Sequence, residues 1–221
     1  LNISLINNTS NSLYGGGSSF NINGIHKLIF NSCKFISNHA SRDETYTPSD
    51  TSTPTFDGQG GGIQIGTCQT TNIDILFNEC IFNQNEAETN GGAISIEKFH
   101  LSSSTAGNEG FIIENCIFEG NNAGNKGGNI YIGSDTTCSD TQTNEQENSI
   151  IRNCTFDTST GNEAHCIYVQ SISSPNIQIL TSNFTDCGSN NYAIVISENV
   201  DKGYIENCTF KFTNEQSSSS A

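Results

Sequence analysis

The stretch NECIFNQNEAETNGGAISIE, Asn78 to Glu97, decides the fold, because its parts return in the same order along the chain. An apolar residue, a turn with asparagine, Cys-x-Phe and usually a glycine-rich corner recur around Phe35, Phe82, Phe118, Phe156, Phe184 and Phe210. Two residues before these stand Cys33, Cys80, Cys116, Cys154, Ser182 and Cys208; five before stand Phe30, Phe77, Ile113, Ile151, Ile179 and Ile205. A step of two puts Cys and Phe on one face of an extended strand. The odd step back to the Ile/Phe position needs a turn, and there the chain supplies Asn31, Asn78, Asn115, Asn153 and Asn207, a residue type that tolerates left-handed backbone. A unit that cannot bury its own apolar residues must stack on its neighbours.

Beyond the phenylalanine the pattern continues with Asn38, Asn85 and Asn121, then Ala40, Ala87 and Ala123, then Gly61-Gly62-Ile63, Gly91-Gly92-Ala93-Ile94 and Gly127-Gly128-Asn129-Ile130. Later units read His165-Cys166-Ile167 and Tyr192-Ala193-Ile194 at that corner. Each corner opens an apolar-x-apolar triplet: Phe20/Ile22, Ile63/Ile65, Ile94/Ile96, Ile130/Ile132, Ile167/Val169 and Ile194/Ile196. Successive phenylalanines lie 47, 36, 38, 28 and 26 residues apart, so surplus chain must loop out, as it can in the polar stretches 41–60, 97–110 and 133–149. No sustained helical period is present. An antiparallel β-sandwich would also have many short strands, but gives no reason for the same residue types to return in order. The sequence predicts an all-β, right-handed parallel β-helix of about six coils, with residues 1–211 as one domain and 212–221 as a serine-rich tail or linker.

Phe-x-x-Asn (Phe82 to Asn85, Phe118 to Asn121) followed by Gly-Gly-Ala-Ile (Gly91 to Ile94) resembles the repeat of polymorphic outer membrane proteins. Those are surface-displayed adhesins with a pectin-lyase-like β-helix, and similar repeats occur in secreted or surface proteins of bacteria and protists. The resemblance implies an architecture and a surface role; it implies no activity, because the shared residues are core and corner residues.

Composition narrows the field of partners. Eight basic against 23 acidic residues give a formal charge of −15, which opposes nucleic-acid and anionic-membrane binding. No apolar run is long enough to span a bilayer as a helix. Nine cysteines are present: five fit the interior column as free thiols, while Cys68/Cys138 and Cys166/Cys187 are candidate disulfide pairs. Six Asn-x-Ser/Thr triplets, at Asn2, Asn7, Asn8, Asn153, Asn183 and Asn207, are candidate glycan acceptors and point to an extracellular or cell-surface protein.

Outward positions of the triplet strand read Asn21, Gln64, Ser95, Tyr131, Tyr168 and Val195; those of the phenylalanine strand read Lys34, Ile81, Ile117, Thr155, Asn183 and Thr209. Neither row holds the carboxylate pair that glycosidic cleavage needs. Asp74, Glu114 and Glu206 fall near bends, and His26, His39, His100 and His165 are scattered. No catalytic residue and no resident metal or cofactor is expected, although the acidic loops 41–57 and 135–147 could hold Ca²⁺. Tyr131 and Tyr168, neighbouring outward aromatics, are candidates for stacking on a sugar or a partner. The expected role is a non-catalytic, glycosylated surface or filament-forming building block or adhesin, self-associating end to end or binding surface glycans or proteins. The alternative is a carbohydrate-active enzyme of the polysaccharide lyase or glycoside hydrolase kind.

Overall fold

The computed structural model describes residues 4–6, 8–10, 18–21, 27–41, 58–66, 74–97, 109–133, 147–170, 175–187, 192–196 and 202–212. Among them there is no helix, and every strand pairing is parallel, in four sheets. The phenylalanine sheet stacks seven strands: Ser4–Ile6, Lys34–Ile36, Ile81–Asn83, Ile117–Glu119, Thr155–Asp157, Asn183–Thr185 and Thr209–Lys211. A four-stranded alanine sheet (Thr9–Ser10, His39–Ala40, Glu86–Ala87, Asn122–Ala123) follows it in the chain. Next comes a six-stranded isoleucine sheet built around Ile63–Gly66, Ile94–Glu97 and Ile130–Gly133. A six-stranded leading sheet, with Lys27–Asn31, Asp74–Asn78 and Glu109–Glu114 among its strands, then feeds the phenylalanine sheet again. The chain visits the sheets in this order repeatedly, and each strand pairs with its equivalent one unit later, an arrangement compatible with a parallel β-helix.

Register converts the sequence repeat into columns. Leu5 pairs with Phe35, Phe35 with Phe82, and so on to Phe210, so the sheet has one rung more than the phenylalanines mark. The rings of successive rungs stack 4.7, 4.9, 4.8, 4.7 and 4.8 Å apart, the spacing that a parallel sheet imposes. Phe30 and Phe77 stack beside them at 4.7 Å and meet Phe35 and Phe82 edge-on. In later rungs Ile113, Ile151 and Ile179 take that place, all buried in the same core cluster. Each fully buried ring or isoleucine contributes about 1.5–3 kcal/mol.

The cysteine column lies between these rows. Each thiol donates to the carbonyl two residues back in its own chain, as Cys116 does to Glu114 at 3.2 Å and Cys154 to Arg152 at 3.2 Å. Ser182 Oγ makes the same bond to Leu180 at 2.9 Å, which is why serine can replace cysteine there. A third column is polar: Asn38, Asn85 and Asn121 are buried and bonded rung to rung. Asn38 Nδ2 donates to Asn85 Oδ1 at 2.9 Å, and Asn85 Nδ2 donates to Asn121 Oδ1 at 3.0 Å and to the Phe35 carbonyl at 2.9 Å. Asn8 heads this ladder, three residues after Leu5, with its Nδ2 on Asn38 Oδ1 at 2.9 Å. Buried amides are tolerated because each finds a partner.

Several details differ from expectation. The left-handed corner is always three residues before the phenylalanine position, at Ser32, Glu79, Asn115, Asn153, Thr181 and Asn207 with φ between 49° and 57°. Asn31 and Asn78 therefore end strands, and the residue after each makes the turn. A second left-handed corner lies two residues after the phenylalanine, at Ser37, Gln84, Gly120, Thr158 and Asp186. A three-residue strand has to be left sharply at both ends, and the corner amides stay bonded to the next rung, as Ser32 N–H is to Asn78 O at 2.9 Å. The first glycine pair is also shifted by one. Gly60-Gly61 matches Gly91-Gly92, and a Cβ on Gly92 would stand 2.2 Å from the Gly128 carbonyl oxygen. The triplet at Phe20 pairs with Ile65, not Ile63, which puts Ser19 opposite Gln64.

Candidate functional site

Side chains that alternate away from the core of the isoleucine sheet form a second, smaller layer. Tyr131 and Tyr168 are 5% and 8% exposed, with ring centroids 6.1 Å apart and Val195 packed against them. Tyr131 O–H donates to Gln170 Oε1 at 2.8 Å, and Lys126 Nζ lies 4.8 Å above the Tyr168 ring. That ammonium also reaches Gln170 Oε1 at 3.4 Å and Glu163 at 3.7 Å. One rung row earlier, Ser95 Oγ donates to a buried Gln59 Oε1 at 2.9 Å. The two outward aromatics are thus buried rather than exposed. The tyrosines do point outward as neighbours, but Lys126 lies over the Tyr168 ring and Gln170 engages the Tyr131 hydroxyl.

The outer surface of the alanine sheet carries a chain of polar contacts. His39 Nδ1 lies 3.1 Å from Glu86 Oε2, Asn122 Nδ2 donates to Glu86 Oε1 at 3.5 Å, and Thr160 donates to Asn122. At the corner leading to the phenylalanine sheet, Arg152 grips Glu114 of the preceding rung with bonds of 2.6 and 2.9 Å. Asn115 Nδ2 similarly donates to Asn78 Oδ1 at 2.9 Å. These carboxylates are used to tie rungs together. Among the described residues, no group of three or more His, Cys, Asp or Glu side chains converges on a point. His26, His100 and most of the acidic loops, 42–57 and 135–146, lie outside the described residues, and nothing is described of the His165 side chain.

Cys80 and Cys116 are held as thiols. Contact with Cys116, then burial, pushes the Cys80 pKa well above the ordinary range; contact with Cys154 and burial raise that of Cys116, partly offset by Cys80. A thiolate nucleophile is out of reach at these two positions. Cys166 and Cys187, by contrast, are joined by a disulfide with Cα atoms 5.7 Å apart. Cys33, Cys80, Cys116, Cys154 and Cys208 take no part in a disulfide, and Cys68 and Cys138 lie outside the described residues.

The sequons separate by environment. Asn153 and Asn207 are exposed at left-handed corners, and Asn183 is exposed on the outer face of its strand. Asn8 is different: the nitrogen to which a glycan would be attached is bonded into the asparagine ladder. Asn2 and Asn7 lie outside the described residues. The sequence reading missed the ladder's bonding and the placement of Cys187, although Cys187 stands three residues after Phe184, where earlier rungs carry asparagine. No family model, curated protein or solved structure matches this chain.

Proposed function

We propose that the four sheets close into a right-handed parallel β-helix of the polymorphic outer membrane protein or pectin-lyase-like kind. Its function is non-catalytic: a glycosylated extracellular or cell-surface building block that assembles end to end or presents its flanks to surface glycans or proteins. The observation that carries this reading is how fully the side chains serve rung-to-rung contact. Phenylalanine, cysteine and asparagine columns fill the interior, and the outer carboxylates bridge neighbouring rungs.

The last described rung supports the assembly part. Ile205 is 49% and Phe210 44% exposed, whereas the residues they continue are buried. A further rung from a second copy would cover them and pair the strand edges beside them. Electron microscopy and sedimentation of the purified chain at rising concentration test this, with elongated end-to-end species expected. Dispersed monomers at every concentration would overturn assembly. Intact mass before and after enzymatic deglycosylation tests the sugar, expected at Asn153, Asn183 and Asn207.

A further inference from the structure

The asparagine ladder stops abruptly. It runs through Asn8, Asn38, Asn85 and Asn121, and Asn121 Nδ2 then turns sideways to Asn129 Oδ1 at 2.9 Å. The next two places in the column are Ser159 and Cys187, three residues after Phe156 and Phe184. Cys187 occupies the asparagine's own position. Its sulfur faces the Phe156 carbonyl at 3.9 Å, as the amides of Asn85 and Asn121 face those of Phe35 and Phe82. In place of amide bonds it reaches Cys166, which sits one rung back in the row of Ala93 and Asn129. Asn129 Nδ2 lies 3.3 Å and Ser159 Oγ 2.9 Å from the Cys166 sulfur, so the end of the ladder abuts the cross-link.

Beyond the cross-link the packing weakens. Ile194 and Ile196 are only half-buried, Ile205 and Phe210 are exposed, and the pairing of Ala164–Val169 with Tyr192–Ile196 has a register irregularity. The bond closes 21 residues, a span that contains the strand Pro175–Leu180 and the strand Asn183–Thr185.

We propose that Cys166–Cys187 is a redox latch on the last rungs. Oxidised, it replaces the missing asparagines; reduced, it lets residues 175–212 open while the laddered rungs stay closed. The reductant is a dithiol, which transfers two electrons and two protons to the S–S bond, leaves both cysteines as thiols and itself becomes a cyclic disulfide. The bond is buried, so reduction follows transient opening of the terminal rungs.

Hydrogen exchange followed by mass spectrometry, on the intact chain with and without dithiothreitol, tests the latch. Exchange in 175–212 is expected to accelerate on the order of a hundredfold, with 74–133 unchanged. No change anywhere, or equal loss of protection throughout, would overturn the proposal. A second chain, S159N/C166A/C187N, extends the ladder across the gap. It is expected to keep 175–187 protected and to ignore the dithiol; unprotected 175–187 in this chain would sink the equivalence of ladder and latch.

Discussion

The rungs from 74 to 133 and those from 175 to 212 are made from one repeat, yet they are held by different means. In the first group Phe82 and Phe118 are buried between neighbours on both sides, Asn85 and Asn121 bond across rungs, and a glycine pair brings backbones into close approach. In the second the ring column persists to Phe210, but the asparagines have gone and Gly203 stands in an inner row where a side chain would fit. Ser149, at the junction, buries a hydroxyl that has no hydrogen-bond partner among the described residues. Ring stacking therefore continues through both groups. The polar column and the tight corners are what separate a firm rung from a loose one.

That contrast breaks if the ring column responds evenly along its length. Phe118→Ala should cost about 3–5 kcal/mol, because a cavity opens between two stacked rings, while Phe210→Ala, half-exposed, should cost about 1 kcal/mol. Urea denaturation of both variants measures the gap. Asn85→Ala should cost about 3 kcal/mol, since it removes the acceptor used by the buried N–H and Nδ2 of Asn38 and its own two amide bonds. The same assay checks it, and a cost below that of Phe210→Ala would remove the ladder from the account.

Glycine sharpens the comparison in the opposite sense. A Cβ at Gly92 would collide with backbone oxygens at 2.2 and 2.4 Å, so Gly92→Ala should destabilise by about 2 kcal/mol or more. At Gly203 the nearest atom would be a side-chain methyl at 3.4 Å, and Gly203→Ala should stabilise by up to about 1 kcal/mol. Thermal melts distinguish the two signs.

The thiol column supplies a pH test confined to the firm rungs. Cys80 and Cys116 are held protonated in the folded chain, whereas in the unfolded chain they ionise near the ordinary value of about 8.5. Their stabilisation is complete below that pH and is lost as pH rises above it, by roughly 1.4 kcal/mol per pH unit for each thiol. Denaturation between about pH 8 and 10 should show this slope, and C80S/C116S should flatten it. The smallest effect belongs to the contact that joins the firm rungs to the one that follows them. Arg152→Ala breaks the surface bridge to Glu114 and should cost about 0.5 kcal/mol, less at high salt, by double-mutant cycle.

Much of this was legible because side chains that face one way in a strand recur every second residue. The phenylalanine, cysteine and isoleucine rows needed only counting. The rung at Leu5 escaped because the count was anchored on an aromatic, although Leu5 and Asn8 keep the same spacing as Phe35 and Asn38. The second corner escaped for a different reason: Ser37, Gln84, Gly120, Thr158 and Asp186 share a backbone angle and no chemistry. The covering of Tyr131 and Tyr168 depended on Lys126 and Gln170, whose places in the repeat are filled by other residue types in neighbouring rungs.

The segment from the last residue of the leading sheet to the alanine position is always nine steps long, as from Asn31 to Ala40, Asn78 to Ala87 and Glu114 to Ala123. All variation in unit length falls elsewhere. This part of each unit thus works as an invariant ruler, while the rest absorbs the differences in length. Length can change there without renegotiating the pitch of the rungs, and an engineer can graft new segments on the same terms.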